Sequence, residues 1–125
     1  MRVLIIDDEA NIRRITAVAL EGLGHEAAVA TDGDDALRQL AEADFDAAFL
    51  DLRLRDEDGM DLLPKLLRSK PGLGVIVFSA GASAERARAA RQAGAVGFMA
   101  KPFTLDQIRQ ELGKLPGGVP PSGAA

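Results

Sequence analysis

The sequence predicts an α/β domain in which a five-stranded parallel sheet lies between two layers of helices. Five short apolar runs are continuous rather than alternating, as in strands covered on both faces. The segments between them carry apolar residues at helical spacing. Strand and helix patterns alternate five times, and right-handed crossovers then put helices on both sides of the sheet.

Val3 to Ile6 is the first strand, and Ile12, Ile15, Thr16, Ala19, Leu20 and Leu23 form the stripe of the first helix, which Gly22 or Gly24 ends. Ala27 to Ala30 is a weaker run and reads as an edge strand, with His25 on the surface beside it. Ala36, Leu37, Leu40 and Ala41 stripe the second helix, and Ala47 to Leu50 is the third strand. Leu62, Leu63, Leu66 and Leu67 stripe the third helix. Pro64 within it is tolerated where amides lack intrahelical partners, so a late start near Asp61 is expected. Val75 to Phe78 is the fourth strand. From Ser79 to Gly94 the only apolar side chains are alanines, interleaved with Arg86, Arg88 and Arg91, a row that reads as a solvated face. Alanine favours helix but buries little area, so this helix should form well, dock loosely and be the element readiest to move. Val96 to Met99 is the fifth strand. Leu105, Ile108 and Leu112 stripe the last helix, opened by a capping box of Thr104 and Gln107. The Pro- and Gly-rich end suits a linker or a disordered terminus, giving a folded domain over residues 1–115 and a flexible tail over 116–125.

Composition narrows the chemistry. The chain has 125 residues, 47% of them hydrophobic and 27% charged, which suffices for one well-filled core. With no cysteine there is no disulfide, thiolate metal site or cysteine nucleophile, and a single histidine cannot build a His-rich metal cluster. Fifteen basic against nineteen acidic residues give a net charge of −4, the wrong sign for direct nucleic-acid binding. The apolar start is too short for a signal-peptide core or membrane span, so no membrane partner and a cytoplasmic location are expected.

In open parallel sheets the ligand site lies beyond the carboxyl ends of the strands. The residues standing there are Asp7 and Asp8 after the first strand, Asp51 after the third, Ser79 after the fourth and Lys101 after the fifth. Each alone has an ordinary explanation as a turn, helix-end or surface residue; complementary chemistry at four strand ends is not an ordinary coincidence. Carboxylates about 4 Å apart repel by about 4 kcal/mol per pair at an effective dielectric near 20. Lys101 offsets one charge, and the remaining oxygen donors favour a hard divalent cation such as Mg²⁺. A carboxylate beside such an ion, with a lysine and a hydroxyl aimed at the same point, suits nucleophilic attack on phosphorus. Asp51, central on the rim, is the expected acceptor; Asp7 and Asp8 are placed to face a metal.

These residues resemble a known family. Val3-Leu4-Ile5-Ile6-Asp7-Asp8-Glu9, Phe49-Leu50-Asp51-Leu52-Arg53-Leu54 with Asp58-Gly59, Val77-Phe78-Ser79-Ala80, and Gly94-Ala95 through Phe98 to Lys101-Pro102-Phe103 are similar to the receiver domain of bacterial two-component response regulators. The resemblance spans residues 2 to about 115. It implies a flavodoxin-like, doubly wound sheet of order 2-1-3-4-5 and a switch phosphorylated on Asp51 by a sensor histidine kinase with Mg²⁺. It also implies Asp7, Asp8, Asp51 and the Arg53 carbonyl as metal ligands, Ser79, Ala80 and Lys101 as phosphoryl-binding residues, Ser79 and Phe98 as the switch pair, and a cis Lys101-Pro102 bond. Arg55 stands where many members carry proline. The Leu52-Arg53-Leu54 pattern resembles receivers of nitrogen-regulator-type transcription activators, with the output in an attached domain. Phosphorylation adds charge near −2 at the rim, and Ser79 directly precedes the lightly anchored helix, so output is expected from residues 82–99 and the last helix, as a dimer contact or docking face.

Two other functions compete. An aspartyl-phosphate hydrolase or phosphotransferase commonly carries a second acid two residues beyond its nucleophile, and that position is Arg53 here. A degenerate receiver used only for protein binding would lack some chemical positions, and all are filled. The chain is therefore expected to be a signalling domain with only self-catalysed phosphoryl transfer and slow autodephosphorylation.

Overall fold

A computed structural model describes residues 1–55, 57–81 and 83–115. The expected tail, 116–125, lies outside the described residues. Ten elements alternate: β1 (Arg2–Ile6), α1 (Ala10–Gly22), β2 (Glu26–Ala30), α2 (Gly33–Glu42), β3 (Ala47–Asp51), α3 (Gly59–Ser69), β4 (Gly74–Ser79), α4 (Ala84–Gln92), β5 (Gly97–Ala100) and α5 (Leu105–Gly113). All strand pairs are parallel, in the order β2-β1-β3-β4-β5. The strand order reverses between β1 and β3, and the acidic residues lie at that point.

The sheet separates two apolar layers. Leu4, Ile6, Leu50, Val75 and Val77 pack with Leu62, Leu63 and Leu66 of α3, whereas Val3, Ile5, Phe49, Ile76 and Phe78 pack with Leu20 of α1 and Ile108 and Leu112 of α5. β3 and β4 are buried along their full length, which explains their unbroken apolar texture. Local chemistry fixes the helix ends. Asp32, Asp58, Ser83 and Thr104 cap α2 to α5, the last in a complete capping box with Gln107. Gly24 rather than Gly22 closes α1: its φ is +91°, and the His25 amide donates to the Leu20 carbonyl in a Schellman motif. Gly94, at φ +110°, closes α4 the same way, with the Ala95 amide on the Ala90 carbonyl.

Several expectations need correction. α3 starts at Gly59, not near Asp61, because Asp58 accepts the Met60 amide and nucleates the turn earlier. Pro64 consequently lies inside the helix rather than in its first turn. Ile15 is 60% exposed while its neighbour Thr16 is buried, so the inward stripe of α1 is Ile12, Thr16, Ala19, Leu20 and Leu23. Leu105 is likewise exposed, leaving Ile108 and Leu112 as the anchors of α5. Val96 lies just before β5 and is exposed. His25 is half-buried, its Nδ1 3.1 Å from the terminal amine, and burial lowers its pKa, with the nearby positive terminus adding to the effect.

α4 matches the expectation drawn from its alanines. Only Ala90 is buried, whereas α3 buries Leu62, Leu63 and Leu66. A buried leucine contributes about 1.5–3 kcal/mol and a methyl-sized group about 0.8, so α4 is held far less tightly than α3. Arg86, Arg88 and Arg91 are all exposed.

Candidate phosphoryl and metal site

Parallel register assembles the site. Ile6 lies beside Leu50, so Asp7 emerges next to Asp51; Asp51 pairs with Phe78, and Ser79 with Ala100. The Lys101 amide donates to the Ser79 carbonyl at 2.9 Å, extending the ladder one residue and fixing where the lysine side chain departs. The Lys101-Pro102 peptide is cis, as expected. Carboxylate oxygens of Asp7, Asp8 and Asp51 all lie within 4.8 Å of one another.

Asp7 and Asp51 are almost completely buried, and Asp8 is half-buried. One ammonium serves both buried acids: Lys101 Nζ is 2.9 Å from Asp7 Oδ2 and 3.3 Å from Asp51 Oδ2. The other carboxylate oxygens are used as well. Asp7 Oδ1 accepts the Glu9 amide at 2.9 Å, and Asp51 Oδ1 accepts the Arg53 amide at 3.1 Å. Arg13 donates to the Asp7 carbonyl at 2.8 Å, which ties α1 to the end of β1.

Burial pushes the Asp51 carboxyl above its ordinary pKa. The Arg53 amide opposes this, the Asp7 charge adds to it, and Lys101 opposes it again. For Lys101, burial works against the ammonium, yet its hydrogen bond to Asp7 and the charges of Asp51 and Asp7 outweigh burial and raise its pKa. The site is thus short of positive charge. Three oxygen donors with one cation among them fit a hard divalent ion, and the donor chemistry suits Mg²⁺ or Ca²⁺ rather than a softer metal.

Ser79 and Ala80 occupy the same rim, whereas Phe98 lies further back within β5. Ser79 is buried and its Oγ accepts the Gly81 amide at 3.3 Å, which ties the hydroxyl to the loop after β4. Ala80 follows it in an exposed turn. Phe98 is half-buried and packs on the α3 side of the sheet, in register with Val77. Ser79, two residues beyond Val77, shares that face. Two cavities flank the acids. One of about 240 Å³ is lined by Leu52, Arg53, Asp58, Met60, Arg86 and Ala89, and one of about 220 Å³ by Asp8, Arg13, Thr31, Asp32 and Arg55.

Sequence reasoning missed two residues. Gly59 lies where an added Cβ would sit 2.5 Å from the Asp51 carbonyl oxygen and 2.6 Å from Leu52 Cα, so it lets α3 start against the Asp51-Leu52 segment. The Asp58-Gly59 pair was visible in sequence, but not this close approach. Phe78 was read only as core, yet Lys101 Nζ lies 4.7 Å from its ring centroid.

The chain is similar to known proteins along nearly all of its described length. AlgB, the alginate biosynthesis transcriptional regulatory protein of Pseudomonas aeruginosa, is 36% identical over 113 residues, covering 90% of this chain and 25% of that protein. The crystal structure of NtrX from Brucella abortus superimposes with a TM-score of 0.80 at 35% identity, over 86% of this chain and 25% of that one. These matches support the nitrogen-regulator-type resemblance, and the chain spans about a quarter of both proteins. A Burkholderia pseudomallei response regulator, solved with a phosphorylated aspartic acid, a calcium ion and citrate, superimposes with a TM-score of 0.83 at 29% identity, over 89% of this chain and 65% of that one. The family model for the response regulator receiver domain matches residues 3–113, nearly all of the described fold, and the chain belongs to that family.

Proposed function

We propose that this domain is a signalling switch that accepts a phosphoryl group on Asp51 from a sensor histidine kinase, in a reaction that requires Mg²⁺. The observation that carries the proposal is the buried cluster in which Lys101 bridges Asp7 and Asp51 while Asp8 stands within reach of both. A carboxylate oxygen of Asp51 attacks phosphorus, and the bond from phosphorus to the donor's leaving atom breaks, the electron pair going with that atom. Lys101 turns its ammonium to a phosphoryl oxygen, Ser79 Oγ donates to another, and Ala80 lies beside it on the same loop. Asp7, Asp8, Asp51 and the Arg53 carbonyl are the residues that would hold Mg²⁺. When bound, the ion supplies positive charge that offsets the crowded carboxylates and the incoming phosphoryl oxygens.

The switch follows from the same parts. The Ser79 oxygen accepts the Gly81 amide, so a Ser79 hydroxyl drawn toward a phosphoryl oxygen carries its loop with it, and that loop leads into α4, the least anchored helix. Phe98, on the same side of the sheet, then has space to turn inward. Output passes through α4, β5 and α5, as a dimer contact or a docking face for an attached domain, with transcription control as the process served. The site has no place for a hydrolase acid at Arg53, whose side chain is exposed. Among the described residues no helix is long and apolar enough to cross a membrane.

Incubation with Mg²⁺ and a small acyl phosphate is expected to give a hydroxylamine-labile adduct that maps to Asp51. A stable label on another residue, or none with Mg²⁺ present, would remove the proposal. Asp8→Asn should weaken Mg²⁺ binding at least about tenfold, since one of three clustered carboxylates is lost. Unchanged affinity in a calorimetric titration would mean that Asp8 is not a ligand.

A further inference from the structure

Lys101 presents three N–H donors, and its two carboxylate partners use two of them. A further close neighbour is aromatic. The Phe78 ring centroid is 4.7 Å from Nζ, and the lysine side chain is only 12% exposed, so the ammonium meets this ring with little water between.

Phe78 is well placed for more than filling space. It is completely buried, and its ring is gripped by edge contacts to Phe49 at 6.1 Å and 60° and to Phe103 at 5.8 Å and 66°. Phe103 follows Lys101 by two residues, so the segment that carries the ammonium also clamps the ring beneath it. Phe78 pairs with Asp51 in the parallel ladder, and both side chains leave the same face of the sheet. The next residue, Ser79, leaves the opposite face. One strand end thus supplies a hydroxyl on the α4 side and an aromatic face on the lysine side.

We propose that Phe78 is a positioning residue whose ring face is the third partner of the Lys101 ammonium, holding it between Asp7 and Asp51 where it can meet a phosphoryl oxygen. This rests on the phosphoryl-acceptor function proposed above and goes further by assigning a residue that acts through Lys101. An aliphatic side chain of equal bulk at position 78 would fill the core but leave the ammonium held by its two carboxylate partners alone. The ring adds to that hold because a cation over an aromatic face is attracted to the centre of negative quadrupole, a preference that no alkyl group shares.

The test separates shape from electrostatics. Trifluorophenylalanine placed at position 78 keeps the ring's outline and removes most of its negative face. The expected result is labelling of Asp51 about fivefold slower with the thermal midpoint nearly unchanged, while the same replacement at Phe45, buried in the opposite layer, leaves the rate as it was. Equal rates for the two fluorinated proteins would overturn the proposal. In the metal-free, unmodified protein the Lys101 ε-methylene protons should be shifted upfield by the ring relative to those of Lys65, Lys70 and Lys114, and Phe78→Leu should abolish that shift. Unshifted Lys101 protons would also overturn the proposal. These resonances require no phosphoryl transfer, so a protein that fails to label Asp51 defeats the phosphoryl function while the ammonium–ring contact is still decided by them.

Discussion

Asp51→Asn is expected to abolish the hydroxylamine-labile adduct completely and, in the same metal-free protein, to raise the thermal midpoint by about 3 °C at neutral pH. Loss of the adduct follows because an amide is neither a competent nucleophile for phosphorus nor able to form an acyl phosphate. The gain in stability comes from the direction of the Asp51 pKa. Burial raises it above the unfolded value, with Asp7 adding to the shift. The folded state therefore binds this proton more tightly than the unfolded chain does. Stability accordingly falls as pH rises from the unfolded carboxylate pKa through the folded one, and the penalty persists at neutral pH. Asparagine carries no charge to desolvate and does not repel Asp7, and Lys101 keeps its 2.9 Å bond to Asp7. The advantage of the variant should shrink as pH falls through the carboxylate range, where the native Asp51 takes up its proton. Lys101 behaves in the opposite sense: its raised pKa gives stability that is complete below the unfolded lysine value and is lost only at strongly alkaline pH. Added Mg²⁺ should stabilise the native protein more than the variant. Thermal scans across pH, with and without the ion, would show this; a variant less stable at neutral pH and insensitive to pH would mean that Asp51 contributes more through Lys101 and the Arg53 amide than it loses by burial.

The sequence revealed the acidic rim because β1, β3 and β4 are almost wholly buried and each gives way abruptly to a polar residue at its carboxyl end. Asp7, Asp51 and Ser79 follow unbroken apolar runs, and a parallel sheet leaves little freedom in where such ends converge. The capping box of α5 and the weak docking of α4 were equally visible, since a local hydrogen-bond motif and a lack of large apolar side chains are both properties of composition. What escaped was set by contacts between elements. Ile15 and Thr16 are adjacent, and helical periodicity admits both; only the packing of β1 and α5 against α1 buries the threonine and exposes the isoleucine. Leu105 fits its stripe by spacing, but as the first residue of α5 it sits beyond the reach of the core. Pro64 would suit a first turn, but the Asp58 cap, a contact outside the apolar stripe, sets the start of α3 at Gly59. Phe78 has the sequence texture of ordinary core, since its contact with Lys101 joins β4 to the segment that follows β5.

Gly59→Ala is expected to destabilise the domain by about 3 kcal/mol, since overpacking against backbone costs roughly 1–3 kcal/mol and this site offers no flexible atom to move aside. The backbone angle is not the cause, for φ at Gly59 is not positive. The cause is proximity: the new methyl would meet the Asp51 carbonyl oxygen at 2.5 Å and Leu52 Cα at 2.6 Å, and the Gly59 amide is bonded to the Leu52 carbonyl at 3.0 Å. Either α3 retreats from β3, loosening Leu62, Leu63 and Leu66, or the strand end moves and carries Asp51 with it. Both lower phosphoryl acceptance, and the second does so beyond the loss of folded protein, because Asp51 leaves Lys101. Gly33→Ala is the internal comparison. It too is buried, but the added methyl there would meet only side-chain ends, the carboxylate of Glu57, which can rotate away, and Leu62 Cδ1 at 3.0 Å, which need shift by a few tenths of an ångström, and so should cost less. Urea unfolding of the two variants separates the cases, and a Gly59→Ala loss no greater than that of Gly33→Ala would mean that the segment after Asp51 yields easily. If the larger loss is found, Asp51 owes its position to the backbone-to-backbone contact at Gly59 as much as to the sheet behind it.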